Sequence, residues 1–215
     1  MSADLVRDVF SPENVDTVAA DADARRGWAL EYGRRLWGDH KGTACIATGR
    51  PHVNEAGKYA HRDFAHHFFA WPAEADDFAS AAVDLAGQAL DVYVTPMLRT
   101  ARSAKKGAGA GGSWCWVDVD GEWTAERSAA VGTLGDTFTV HSGTGRHVYV
   151  ALDGWYEPDE VAGLNRRLRV LLDGDHKWAE NALLRVPGTY NRKPFVFDHR
   201  APALVWPEGG APWPA

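Results

Sequence analysis

Apolar residues recur along this chain with two different periods, and the changes of period mark its elements. Trp28, Tyr32 and Leu36 return every four residues, as one buried stripe of a helix does. Ser11-Pro12-Glu13 upstream is a helix-start signal, so a helix is predicted within residues 11–37. TACIAT, 43–48, predicts a strand, and 49–72, crowded with His and aromatics, predicts irregular chain. A helix is expected from about Ala73 to Leu90, then a strand, VYVTPML, broken by Pro96. ARSAKKGAGAGG, 101–112, predicts a flexible loop. Strands are expected at 114–120, 136–141 and 146–152, the last two joined by SGTG, with a short helix at 125–131. Glu157-Pro158-Asp159 opens a helix running to 172, and LLRVPGTYNRKPFVF reads as a turn followed by a strand. The mixture predicts an α+β fold with a mixed or antiparallel sheet. PEGGAPWPA has the composition of a linker, leading into further domains or fraying at its end.

Composition narrows the classes. The 215 residues suffice for one large domain with its own core. No apolar run is long enough for a membrane span, and the start lacks the blocks of a signal peptide, so a cytoplasmic protein with no membrane partner is expected. Two cysteines, Cys45 and Cys115, read as reduced core thiols rather than a structural zinc site. Lys and Arg number 23 against 29 Asp and Glu, a net −6, which argues against a broad basic nucleic-acid surface but not against a local one.

Three stretches carry chemistry. In WCWVDVDG, 114–121, Asp118 and Asp120 share one strand face while Cys115, Val117 and Val119 fill the other. Two neighbouring carboxylates repel unless a cation lies between them, and Mg²⁺ or Mn²⁺ suits such oxygens; a solvated strand end is the alternative. HSGTGRHVYVAL, 141–152, has a small-residue turn, Ser142-Gly143-Thr144-Gly145, leading to His147 and Tyr149. It would suit a phosphate; taken alone, it reads first as a hairpin turn whose glycines supply positive φ, with His147 merely exposed. LLDGDHKWAENALLRVPGTYNRK, 171–193, places Arg185 before the turn Pro187-Gly188-Thr189, with Asp173 and Asp175 as further carboxylates. His61, His66 and His67 lack helical metal spacing: five residues splay the first two by about 140° on a helix. They are expected to pack among the aromatics. Trp114 and Trp116 share the aspartates' face, so one could stack on a base or simply pack.

Together, in this order, VDVDG, SGTGRHVY and an acidic turn followed by LRVPGTYN resemble the primase–polymerase domain of the archaeo-eukaryotic primase superfamily, as found at the N-terminus of phage and plasmid replication proteins. The resemblance covers roughly residues 90–195. It implies a prim-pol domain over 1–205, with an N-terminal α/β unit (1–90), a catalytic core of RNA-recognition-like fold (91–205), and a tail at 206–215. It implies a template-dependent primase and DNA polymerase using two-metal nucleotidyl transfer. Asp118, Asp120 and Asp175 would hold two Mg²⁺ or Mn²⁺ ions, with Asp173 the alternative third carboxylate. Ser142, Gly143, Gly145, His147, Arg185 and, more loosely, Asn191 would meet the nucleotide, with Lys193 also near it. Partners would be a single-stranded DNA template, NTP and dNTP, and a helicase; Lys105–Gly107 and Arg166, Arg167 and Arg169 could track template or merely be solvated. Two other readings stand beside it. One is a non-catalytic single-strand binder acting as a replication initiator. The other is a D-x-D metal-dependent glycosyltransferase, in which RVPGTYN and His147 have no role.

Overall fold

The computed structural model describes residues 21–198 and 201–208. The expected helix start at Ser11 and most of the C-terminal linker lie outside these residues. Helix α1 (Ala22–Trp37) starts where the Asp21 carboxylate accepts the Asp23 and Ala24 amides, at 2.9 and 3.3 Å. This is the usual N-cap arrangement, in which a side-chain oxygen satisfies amides the first turn cannot pair. Trp28, Tyr32 and Leu36 are buried along it, as their spacing predicts.

Two strands follow, β1 (Gly42–Val53) and β2 (Tyr59–Trp71). They form a long antiparallel hairpin from Gly42↔Trp71 to Val53↔Tyr59. The expectation of irregular chain at 49–72 is thus corrected. That segment reads badly because bulky rings occupy both faces of β2, and because an irregularity between Thr48 and Arg50, opposite a left-handed Asp63, shifts the alternation. Helix α2 (Ala75–Gly87) buries Phe78, Ala79, Ala82, Val83 and Ala86. Strand β3 (Asp91–Val94) then pairs with β1.

Strand β4 (Gly112–Asp120), helix α3 (Ala125–Val131), strands β5 (Thr137–His141) and β6 (Gly145–Tyr156), and helix α4 (Pro158–Leu172) come next. The short strands β7 (Leu184–Arg185) and β8 (Tyr190–Asn191), helix α5 (Lys193–Asp198), and strands β9 (Ala203–Leu204) and β10 (Trp206–Glu208) complete the chain. After the RVPGT turn the structure therefore has a two-residue strand and a short helix, not the expected longer strand. Residues 206–208, assigned to the tail, instead pair with β5.

The strands form two four-stranded antiparallel sheets, ordered β2-β1-β3-β7 and β10-β5-β6-β4, with β8-β9 as a small third pair. Strands β3 and β7 belong to the first sheet, so the expected division at 90/91 runs through it. One face of β4 and β6 packs Cys115, Val117, Val119, Val148 and Val150 against Leu168 and Leu172 of α4. The other face joins Trp116, Phe138 and Tyr149 to a core shared with α1, α2 and the first sheet. Each such side chain contributes about 1.5–3 kcal/mol when fully buried. The Tyr32 and Tyr149 hydroxyls meet at 2.8 Å inside this core, so α1 ties the two sheets together.

The 101–112 loop is held rather than free. The buried Arg99 guanidinium donates to the carbonyls of Ser103 (3.1 Å), Lys105 and Glu180 (3.0 Å). The Glu180 carboxylate accepts the Gly107 amide and the Gly109 amide at 3.2 Å. Among the described residues, no helix is long and apolar enough to cross a membrane.

Candidate active site

The two sheets meet at a cleft of about 140 Å³. Residues from all three sequence motifs line it: Asp118 and Asp120 from β4, Ser142, Thr144 and His147 from the β5–β6 hairpin, Arg185 and Asn191 from the last.

Asp118 is buried and stands directly across the ladder from His147. Its Oδ2 accepts from Lys177 Nζ, and its Oδ1 lies 3.5 Å from His147 Nε2 without a hydrogen-bond partner. Burial would raise the Asp118 carboxyl. The His147 ring, when protonated, and the Lys177 ammonium, with Arg185 behind them, outweigh burial and hold it below the ordinary carboxylate range. His147 is itself pushed down to about 4, chiefly by burial and against the pull of Asp118, so it is a neutral imidazole at pH 7. Asp120, exposed at the end of the strand, is raised by the burial of its carboxyl in the cleft and then by the charge of Asp118.

The turn after α4 separates its two aspartates. Asp173 adopts the left-handed C-cap conformation and turns outward, 3.5 Å from Arg127. Asp175 donates its amide to the Asp118 carbonyl at 2.7 Å, and its charge contributes to raising Asp120. Gly174 permits this approach: a Cβ there would lie 2.2 Å from Val117 Cγ2 and 2.7 Å from the Asp118 carbonyl oxygen. Of the two alternatives, Asp175 is thus the one beside the β4 pair.

The SGTG turn is a tight hairpin in which the Ser142 amide donates to the Gly145 carbonyl at 2.8 Å and the Gly143 amide to His141 Nδ1 at 3.3 Å. Gly143 has φ +94°, and a Cβ on Gly145 would meet the Val119 carbonyl at 2.3 Å. Both glycines serve the hairpin's geometry, and those two amides are already engaged. Asn191 is engaged as well. Its Nδ2 donates to the Ser142 carbonyl (2.8 Å) and its Oδ1 accepts the Lys193 amide (3.0 Å), so it fastens the hairpin to the last motif. The turn before it matches its sequence: Gly188 has φ +85° after Pro187, and the Thr189 amide donates to Val186 at 3.3 Å.

Arg185 lines the cleft from the first sheet. Its Nη1 donates to Asp91 Oδ1 at 2.8 Å and to the Tyr190 carbonyl at 3.3 Å, and its guanidinium lies 4.7 Å from the Tyr93 ring centroid. Asp91 is fully buried and also accepts from Tyr59, His61 (2.9 Å) and Tyr93 (3.3 Å). Sequence reasoning missed Asp91, Tyr59, Tyr93 and Lys177. Lys177 carried no periodic signal, and its backbone is fixed by Trp116, whose Nε1 donates to the Lys177 carbonyl at 2.9 Å. Trp116 is buried and Trp114 packs edge-on against Phe138, so both tryptophans are structural.

For a divalent ion, Asp118 and Asp120 present hard oxygens on one face, and Asp118 Oδ1 is buried without a hydrogen-bond partner. The pair fits such an ion. Among the described residues, no three His, Cys, Asp or Glu side chains converge as a ready-made metal cage, so Asp175 stands near the pair rather than joined to it.

Solved structures share this arrangement of sheets. The RepB' primase matches at 15% identity and a TM-score of 0.58, over 86% of this chain and 56% of that one. The archaeo-eukaryotic-primase (AEP) domain of the cyanophage S-2L primase–polymerase matches at 13% identity and TM-score 0.56, over 79% and 82%. This chain has a primase–polymerase fold. The catalytic domain of RepB' in complex with initiator DNA is similar too, at 16% identity and TM-score 0.54, over 84% of both chains. The chain thus spans just over half the length of the longer RepB' primase, and most of the RepB' catalytic domain and of the cyanophage AEP domain. No protein-family model and no curated protein matches the sequence. The α+β class and the resemblance drawn from the three motifs agree with this fold.

Proposed function

We propose that the protein is a nucleotidyltransferase that copies a single-stranded DNA template, starting or extending a primer from NTP or dNTP. The observation that carries this reading is the pairing of Asp118 and Asp120 with cationic groups in one cleft of a primase–polymerase fold. The related structures support it by their names, a primase and a primase–polymerase.

Asp118 and Asp120 would hold Mg²⁺ or Mn²⁺, with Asp175 as the third carboxylate. When bound, such ions neutralise the triphosphate and the leaving pyrophosphate and favour ionisation of the attacking 3′-hydroxyl. The chain's own groups then position the reactants. Lys177 and Lys193 bring ammonium groups to the cleft, where a triphosphate compensates them. The Ser142 and Thr144 side chains offer hydroxyls from the hairpin. Arg185, fixed by Asp91, presents a guanidinium suited to phosphate oxygens. His147, neutral and buried beside Asp118, offers one ring N–H.

The test is a gel assay with single-stranded DNA, labelled nucleotides and Mn²⁺ or Mg²⁺, with and without an annealed primer. Metal-dependent products that vanish in Asp118→Ala and Asp120→Ala are expected; products formed without a primer identify a primase. Single-strand binding with no product under either metal overturns the catalytic reading and leaves a binding module.

A further inference from the structure

One face of the first sheet packs on α1 and α2; the other carries a row of rings. On β2, His67 and Phe69 turn toward the helices: His67 Nε2 lies 3.2 Å from Thr48 Oγ1, and Phe69 packs edge-on against Phe78. Phe64, His66 and Phe68 alternate with them and so face the opposite way. Their ring centroids are 5.3 Å (Phe64–His66) and 6.2 Å (His66–Phe68) apart. Phe64 is 46% exposed, an unusual position for a phenyl ring on an edge strand.

The row leads to the cleft. His61 lies 6.2 Å from Phe64 and bonds to Asp91, and Tyr59 beyond it lines the cleft wall. The neighbouring strand carries small side chains beneath the row, and they are fully covered. Cys45 and Ala47 of β1 lie opposite Phe68 and His66, and a Cβ on Gly49 would meet His61 Cβ at 2.7 Å. Across Ala47 stands Tyr93 of the cleft. An arginine stands beside the row: Arg102, exposed, donates to the Phe68 carbonyl at 3.2 Å. Arg50 and Arg62, paired across the hairpin next to His61, alternate onto the opposite face.

We infer that this row is the track of the unpaired template strand: bases stack on Phe64, His66 and Phe68, and the backbone phosphates meet Arg102. Single-strand binders combine these two features, stacked aromatics and basic residues along the backbone path. The template's role rests on the polymerase reading above; the affinity of this face for single strands does not need catalysis.

Fluorescence anisotropy with a labelled single-stranded DNA oligonucleotide tests it, on variants whose fold is checked by circular dichroism. Phe64→Ala and His66→Ala are each expected to weaken binding about tenfold, as loss of a stacked base does. Phe64→Tyr is expected to bind as wild type, and Phe64→Leu as weakly as Phe64→Ala. Unchanged affinity in the Phe64→Ala/His66→Ala double variant overturns the inference. So does an equal loss for blunt duplex DNA, or a change from dimer to monomer in light scattering, which would make the row a self-association surface. Failure of the two readings is distinguishable. A wild type that binds but makes no product, with binding lost in the ring variants, removes the catalytic reading alone. Normal synthesis with ring variants that bind as wild type removes this inference alone.

Discussion

Arg185 Nη1 rests 2.8 Å from Asp91 Oδ1, with Asp91 cut off from solvent, Arg185 buried at the cleft wall, and 94 residues separating them in sequence. The pair joins β3, an inner strand of the first sheet, to the last motif of the cleft. Removing one partner leaves the other as an uncompensated buried charge, which costs about 3–5 kcal/mol. Asp91→Ala is therefore expected to lower stability by that order, and Asp91→Asn, which retains an acceptor for Arg185, by less. Chemical denaturation of the three proteins measures both. Arg185→Lys should not restore what Arg185→Ala loses, because an ammonium cannot hold Asp91 and the Tyr190 carbonyl in the same plane.

The same pair sets an acid limit on stability. Burial would raise the Asp91 carboxyl, but the hydrogen bond from His61, the charge of Arg185 and the Tyr59 hydroxyl outweigh it. The folded carboxyl titrates far below its ordinary 3.8. Its contribution is complete above 3.8 and is lost as pH falls toward the folded value, because the unfolded chain takes up its proton first. Denaturation midpoints of the wild type should fall steeply below pH 4, and Asp91→Asn should show a flatter acid limb. Parallel acid limbs would remove Asp91 from the explanation.

Cys45 and Cys115 are buried in different sheets, and burial pushes both thiols up to about 11. Neither forms much thiolate at pH 8, so a disulfide reagent should find essentially no reactive thiol in the native protein and both after denaturation. A fast-reacting native thiol would show that the sheet opens locally.

The aspartate pair was legible because β4 alternates cleanly: apolar residues face α4, and a carboxylate facing the other way has no packing reason to be there. The β5–β6 hairpin and the RVPGT turn were legible from glycine and proline, whose conformations are their own signal. Strand β2 was not, since His66-His67 and Phe68-Phe69 put large rings on both faces and the irregularity at Asp63 breaks the period. Asp91 was hidden for another reason. At the start of a short strand it resembles any polar boundary residue, and its partners, His61 and Arg185, are distant in sequence. Lys177 lies in an irregular turn, where only the tertiary fold brings it to Asp118.

Gly174 lets the turn after α4 lie against β4. A methyl group there would need the space of Val117 Cγ2 and the Asp118 carbonyl, both fixed by packing. Gly174→Ala is expected to cost about 1–3 kcal/mol, as overpacking does, and to displace Asp175 from the aspartate pair. It should thus lose metal-dependent synthesis while still binding single-stranded DNA. If the variant synthesises as well as wild type, Asp175 has no part in holding metal.

Asp120 is raised first by burial and then by the charge of Asp118, and Lys177 offsets only part of this, so the carboxylate pair opposes folding in the absence of a further cation. A divalent ion bound there would relieve the rest and stabilise the fold by mass action. At a hundred times its dissociation constant the gain is about 2.7 kcal/mol, and a chain of this size rises by about 2–4 °C in Tm per kcal/mol. Mn²⁺ is thus expected to raise the wild-type Tm by about 5–10 °C, and to leave Asp118→Asn and Asp120→Asn almost unmoved. Lys177→Met sharpens the test. It removes the cation bonded to Asp118, so the metal-free protein should melt lower than wild type and gain more from Mn²⁺. A wild type that melts at the same temperature with and without Mn²⁺ would show that Lys177, and not a metal, is the resident partner of Asp118.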